Sequence, residues 1–190
     1  VGYPELAIPE CRTLDPTSEA TFQMLEAFVS EVVSLFPDTH IHLGCDEVSF
    51  SCWNSSSRVT AWMLANGIPR TDLGFKHLTA RYIGRLQKIA KSHGRVSVVW
   101  QEAMDHYGNT SEVPTPPSSE LASDMIVEQW LSPVWNWANL SSITGHSYAG
   151  RNVTWPKSFR ALTTNGWYLD NTAVNSWDQV YIMEPLTNAS

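Results

Sequence analysis

The 190-residue sequence predicts an α/β chain that forms part of a (β/α)8 TIM barrel, with only the middle strands present. Short apolar runs alternate with segments of helical period, the pattern of βα units around a parallel sheet. Residues able to do chemistry recur at or just after each expected strand end: Asp46 and Glu47, Trp100 and Glu102, Trp130, then Tyr168 and Asp170. A barrel assembles its site at that C-terminal face. Closed barrels run to about 250 residues, and four or five strands are visible, so the sheet is expected to be incomplete within this chain.

The elements follow in order. Phe22, Leu25, Phe28, Val29, Val32, Val33 and Phe36 share one helical face, with Asp15-Pro16 as cap and first turn and Pro37 as the stop. A strand from His40 to Leu43 comes next, then a loop and a short helical piece ending at Asn66-Gly67. A long helix from about Thr71 to His93 carries Leu78, Tyr82, Leu86 and Ile89, and Gly94 closes it. Strands are expected at Val96 to Trp100, Met125 to Trp130 and Phe159 to Thr163. Between Asp105 and Asp124 there is no helical period, and Pro114, Pro116 and Pro117 point to a long loop in place of a crossover helix. The strand after it is of the same kind as those before, so residues 105–124 are read as internal and residues 1–190 as part of one domain. No solenoid-type repeat is present.

Composition narrows the function. Hydrophobic residues make up 43%, and no apolar run approaches the roughly 20 residues that span a bilayer. A net charge of −7 with only 12 Lys and Arg argues against nucleic acid as partner, since binding a phosphate backbone rests on clustered positive charge. Nine Trp suit a cleft for sugars, whose apolar C–H faces stack on aromatic rings, although about half of them are expected in the core.

The stretch His42-Leu43-Gly44-Cys45-Asp46-Glu47-Val48 ends an apolar run in Gly and then presents two adjacent carboxylates. Neighbours within a strand point to opposite faces, so Asp46 and Glu47 can serve one substrate only where the strand turns into a loop, and Gly44 supplies that turn. Two carboxyl groups at one strand end suit glycosidic cleavage: one held neutral to protonate the leaving oxygen, one ionised to stabilise positive charge on the sugar. His42, a strand residue ahead of the turn, is read as structural.

This segment resembles the signature His-x-Gly-Gly-Asp-Glu-Val of family 20 glycoside hydrolases, the β-N-acetylhexosaminidases. The similarity continues through Phe50-Ser51-Cys52-Trp53, Val98-Val99-Trp100-Gln101-Glu102, Gln129-Trp130 and Gly166-Trp167-Tyr168-Leu169-Asp170, in the family's order. One position departs: Cys45 stands where the family has a second Gly. If that position needs φ > 0, the backbone carries roughly 1–3 kcal/mol of strain and the carboxylates are at risk of misplacement.

The resemblance implies hydrolysis of terminal N-acetyl-β-hexosamine from glycans, with the substrate's own 2-acetamido oxygen as nucleophile and no metal or cofactor. Glu47 matches the general acid and later base. Asp46 matches the residue that holds the acetamido N–H, and Tyr168 the one that bonds its oxygen. Trp100 and Trp130 match the pocket walls, and Asp170 a partner of a sugar hydroxyl. Glu102 is read as an orienting residue. The family's upstream sugar-gripping Arg and its later Gly-Gly-Glu and Trp-x-Glu segments have no match here, so this chain alone is expected to be inactive. A homodimer of the full-length protein is kept as a possible assembly.

Cys11 and Cys52 match positions that are bridged in relatives, which leaves Cys45 as a free thiol. Sequons at Asn54, Asn109, Asn139, Asn152 and Asn188 point to the secretory route, with a lysosomal or extracellular destination. The chain shows no signal peptide of its own, so its start is read as not the natural one. Two other classes are weighed. His40 and His42 lie on one side of a strand, as in metal-dependent barrel hydrolases, but the later strand ends carry no further His. A catalytically impaired carbohydrate-binding relative is the other, given Cys45.

Overall fold

The computed structural model describes residues 6–8, 13–100, 102–105, 122, 124–129, 146–148, 151–153 and 160–163. The chain enters through β1 (Ala7–Ile8) and β2 (Thr13–Leu14), a short antiparallel pair. Asp15 follows, fully buried. Its carboxylate accepts the Thr17 N–H at 2.7 Å and the Thr17 hydroxyl at 2.6 Å, and it pairs with the Arg58 guanidinium.

That pairing corrects the expected helix start. Asp15 closes a turn ahead of the helix, and α1 (Glu19–Leu35) begins only after it, with Ser18 as an extended N-cap that makes no side-chain bond. Phe36 ends the helix ahead of Pro37 as expected. The apolar face is narrower than the sequence suggests. Leu25, Val29 and Val33 pack inward, whereas Phe28 is 59% exposed because it lies off that line and Phe36 is 58% exposed because, as the extended C-cap, it has left the helix.

β3 (His40–His42) leads into the loop that carries the carboxylates. Beyond it come α2 (Phe50–Ser55) and α3 (Ser57–Ala65), each opened by a serine, Ser49 and Ser56, whose hydroxyl accepts an N–H of the first turn. Thr71 does the same for α4 (Asp72–Ser92). Gly74, in the first turn of α4, allows a close approach: a Cβ there would lie 1.7 Å from the Pro69 carbonyl oxygen. β4 (Val96–Trp100) follows, then the single turn α5 (Glu102–Asp105) and β5 (Ile126–Gln129). Beyond it lie an antiparallel ribbon of β6 (His146–Tyr148) and β7 (Arg151–Val153), and then β8 (Arg160–Thr163). Apart from α5, the expected loop 105–124 lies almost wholly outside the described residues.

β3, β4, β5 and β8 form one sheet, every pair parallel, in the order in which they occur along the chain. A sheet that advances in one direction is built from crossovers of one hand, which keep their helices on one face; a doubly wound sheet would reverse. The outer face packs under α1 and α4. Val99, Met125 and Val127 are fully buried with Ile83, while Ile41 and Leu43 pack against Val29, Leu86 and Ile89. Gln87 fastens this layer. Its amide donates to Ser97 Oγ at 3.2 Å and to Met125 Sδ at 2.9 Å, and its oxygen accepts the Ala122 N–H at 2.8 Å. On the other face His42, Val98, Trp100, Ile126 and Glu128 stay half-buried or exposed.

Candidate active site

The site grows from the end of β3. The ladder to β4 continues past the strand: Leu43 N–H donates to Val98 O at 2.8 Å, and Trp100 N–H donates to Gly44 O at 3.0 Å. There the backbone turns left-handed, with φ of +70° at Gly44, +79° at Cys45 and +46° at Glu47. Cys45 keeps the phase of Ile41 and Leu43 and packs against the core beside Tyr82, and the left-handed run then breaks the alternation of strand side chains, so that Asp46 and Glu47 are both exposed at the rim. Position 45 thus takes the positive φ on which the strain at Cys45 is conditional, and a non-glycine residue occupies it.

Burial pushes the Cys45 thiol up to about 12, with the charges of Asp46 and Glu102 adding to the effect. The Tyr82 hydroxyl is also pushed up, first by burial and then by Cys45. At neutral pH Cys45 is therefore a neutral thiol, able to donate to the Leu43 carbonyl at 3.5 Å but not to act as a nucleophile. Glu102, only 6% exposed, opens α5 immediately beyond β4 and close enough to act on the same thiol.

A second row lies across the strands. His42 Nδ1 accepts the Gly44 N–H at 3.0 Å, and its Nε2 lies 2.9 Å from Glu128 Oε2 on β5. Since an N–H can only donate, Nδ1 carries no proton, and the ring is the neutral Nε2–H form donating to the carboxylate. The ring packs against Trp100, with centroids 4.8 Å apart and planes at 59°. His42 is thus satisfied, as the sequence reading has it, but on the open face rather than in the core. His40 is exposed, its Nδ1 2.9 Å from the Thr39 hydroxyl.

Asp46, Glu47, Trp100 and Glu102 are brought together at the ends of β3 and β4. Trp130, Tyr168, Asp170 and Cys11 lie outside the described residues, as do Asn109, Asn139 and Asn188. Asn54 sits in α2, its Oδ1 accepting from Arg70, and the backbone of Asn152 pairs in β7. Glu128 is the residue that sequence reasoning passes over. Its signal is a single charge in the apolar run Met125-Ile126-Val127, two residues before Trp130. Among the described residues no group of three or more His, Cys, Asp or Glu is arranged to hold a metal ion, and no helix is long and apolar enough to cross a membrane.

Residues 5–180 match the family model for the catalytic domain of glycosyl hydrolase family 20. The β-hexosaminidase subunit beta of Mus musculus is 32% identical over 174 residues, covering 91% of this chain and 28% of its own length. The Homo sapiens subunit beta is 32% identical over 174 residues, covering 91% and 27%. β-Hexosaminidase 1 of Arabidopsis thaliana is 29% identical over 189 residues, covering 97% and 29%. The chain thus spans a little over a quarter of the length of the curated relatives it matches. Among solved structures, a chitobiase of Flavobacterium johnsoniae superposes with a TM-score of 0.58 at 21% identity, over 83% of this chain and 20% of that one. A family 20 exo-β-N-acetylglucosaminidase of Vibrio harveyi in complex with N-acetylglucosamine gives 0.56 at 16%, over 92% and 25%. Both share the fold of this chain.

Proposed function

The chain belongs to glycoside hydrolase family 20, and from that premise we propose that its full-length protein removes terminal non-reducing N-acetyl-β-D-hexosamine from glycoconjugates or chitin oligosaccharides. The observation that carries this reading is the left-handed turn that displays Asp46 and Glu47 side by side at a parallel strand end, next to Trp100. Residues 1–190 are taken as part of one (β/α)8 domain, with β3, β4, β5 and β8 as middle strands of the barrel. The sequential strand order supports this.

In the reaction Glu47 gives its proton to the glycosidic oxygen as the substrate's acetamido oxygen bonds the anomeric carbon, and the aglycone leaves as an alcohol. Asp46 accepts from the acetamido N–H and stabilises the positive charge of the resulting oxazolinium ion. Glu47, now a carboxylate, takes a proton from water, whose oxygen attacks the anomeric carbon and reopens the ring with net retention. Tyr168 bonds the acetamido oxygen, Trp100 and Trp130 bend that group under the anomeric carbon, and Asp170 bonds a sugar hydroxyl. Glu102 orients the pocket floor. A Cys11–Cys52 bridge is part of the proposal, supported by Cys45 being free and Cys52 being disulfide-bonded. With the sequons, the bridge supports passage through the secretory pathway to a lysosomal or extracellular site.

The test compares an aryl N-acetyl-β-glucosaminide with the aryl glucoside bearing a plain 2-hydroxyl, using protein expressed from the full reading frame. The first should turn over and the second should be essentially inert. Comparable rates, or a glycosyl ester trapped on an enzyme carboxylate, would overturn the substrate-assisted reading. Binding of chitin oligomers without turnover would instead favour an impaired carbohydrate-binding relative, in which the Cys45 side chain has shifted the carboxylates.

A further inference from the structure

Glu128 reaches the carboxylate turn through one imidazole. Its Oε2 stands 2.9 Å from His42 Nε2, and the opposite nitrogen of that ring, Nδ1, accepts the Gly44 N–H at 3.0 Å. The Gly44 contact is a side-chain acceptor bonding the N–H two residues on, the geometry that Asn and Asp use to hold turns. An imidazole can play that part only while Nδ1 is bare, and which nitrogen carries the proton is set by the bond the other one makes. Glu128 makes that choice. The carboxylate is only 12% exposed at its side chain, and an acceptor so sheltered from water binds the Nε2–H firmly.

On the reading that Asp46 and Glu47 are the catalytic pair, we infer that Glu128 and His42 are positioning residues for it. Glu128 on β5 fixes the His42 tautomer, and His42 fixes the turn from Gly44 through Glu47, left-handed at Gly44, Cys45 and Glu47, while its ring braces Trp100. The strain at Cys45 makes such a brace necessary, because a non-glycine residue at φ +79° favours relaxation toward negative φ unless the surrounding structure holds it. A shift of about 1 Å in a catalytic group costs up to about a hundredfold in rate, so a chain of two hydrogen bonds well away from the reacting atoms is a strong lever on kcat.

The experiment sets shape against acceptor chemistry in protein expressed from its full reading frame. His42→Phe keeps a ring against Trp100 but offers no acceptor, and His42→Asn loses the ring but places an oxygen where Nδ1 stands. The positioning role predicts that His42→Phe loses kcat by about tenfold to a hundredfold with KM changed less than about threefold, and that His42→Asn recovers most of the loss. Glu128→Ala should lower kcat by about tenfold, and much less when added to His42→Asn, since Glu128 acts through the imidazole. Histidine-selective 15N NMR gives a readout that does not depend on activity. The wild-type His42 ring should show a pyrrole-type Nε2 and a pyridine-type Nδ1, and Glu128→Ala should mix the two forms. A wild-type ring protonated on Nδ1, or a His42→Phe variant at least as active as His42→Asn, would overturn the inference. Failure of the catalytic reading is separable: Glu47→Gln would then leave the rate unchanged while the tautomer result stood.

Discussion

The Trp100 N–H donates to the Gly44 carbonyl at 3.0 Å, so the last rung of the β3–β4 ladder is made by the residue proposed as a pocket wall and by the first residue of the carboxylate turn. The two halves of the proposed pocket therefore move together. A sheet hydrogen bond at this point holds the turn at a fixed distance from the indole, and the left-handed residues that follow aim Asp46 and Glu47 away from the strand.

The role of Glu47 is checked by the leaving group. Glu47→Gln removes the proton donor without changing shape, and turnover of natural glycans should fall by about 10²–10⁴. Aryl glycosides with good leaving groups need little protonation and should lose far less in the first step. An equal loss for both substrate types would remove Glu47 from the role of acid.

Much of this geometry is legible in the sequence, and the exceptions share a cause. The apolar run Val96 to Trp100 is a strand with those same ends, and Thr71 and Gly94 bracket the long helix because capping and a positive φ are local demands. Asp15-Pro16 reads equally well as a helix cap or as a turn, and what decides is Arg58, far along the chain. Phe28 stands at the margin of the helical stripe, whose buried width only the neighbouring elements determine, and Phe36 loses its place in the stripe because the backbone turns extended there. Glu128 has no local mark of function, since its partner lies two strands away. The ribbon of β6 and β7 is too short to show a period. Gly44 and the two carboxylates were readable because a turn at a strand end needs specific residues in a few consecutive positions.

Bridge formation is checked by stability. Closing the loop from Cys11 to Cys52 would stabilise the fold by about 4 kcal/mol in the chain-entropy treatment. Reduction, or Cys11→Ser, should lower the unfolding midpoint accordingly, and Cys52→Ser should match it. Peptide mapping of the oxidised protein should recover Cys11 joined to Cys52 with Cys45 alkylatable only after unfolding. A bridge that includes Cys45 would show the pairing to be wrong.

Substitution at Cys45 separates backbone strain from packing. Cys45→Gly relieves roughly 1–3 kcal/mol of left-handed strain, but it gives up a partly buried side chain packed against the core and adds about 0.5–1 kcal/mol of unfolded-state entropy. These oppose each other, so the net change in urea-unfolding stability should stay within about 1 kcal/mol. Cys45→Val keeps the apolar volume and places a β-branched residue at φ +79°, where it is a genuine outlier; it should destabilise by at least about 2 kcal/mol. If Val is tolerated as well as Gly, the turn is not left-handed in solution.

The Cys45 thiol also gives the protein a dependence on alkaline pH. Its value of about 12 in the folded state stands above an ordinary 9.0, because burial and the charges of Asp46 and Glu102 oppose the thiolate. Below pH 9 the thiol is protonated whether folded or not, and its contribution to stability is constant. Above that point the unfolded chain ionises first, so stability falls by up to about 1.4 kcal/mol per pH unit for this proton until the folded thiol also ionises near pH 12. The Tyr82 hydroxyl, itself pushed up by burial and by Cys45, titrates at high pH too. The quantity to measure is therefore the difference between wild type and Cys45→Ala in urea unfolding at pH 8, 9 and 10, which should widen against the wild type as pH rises. Alkylation supplies the kinetic counterpart. Because only the thiolate reacts, native Cys45 at pH 8 should be modified by iodoacetamide roughly 10³-fold more slowly than in the unfolded chain. Modification of the native protein at the unfolded rate would place Cys45 at the surface and remove it from beside Tyr82.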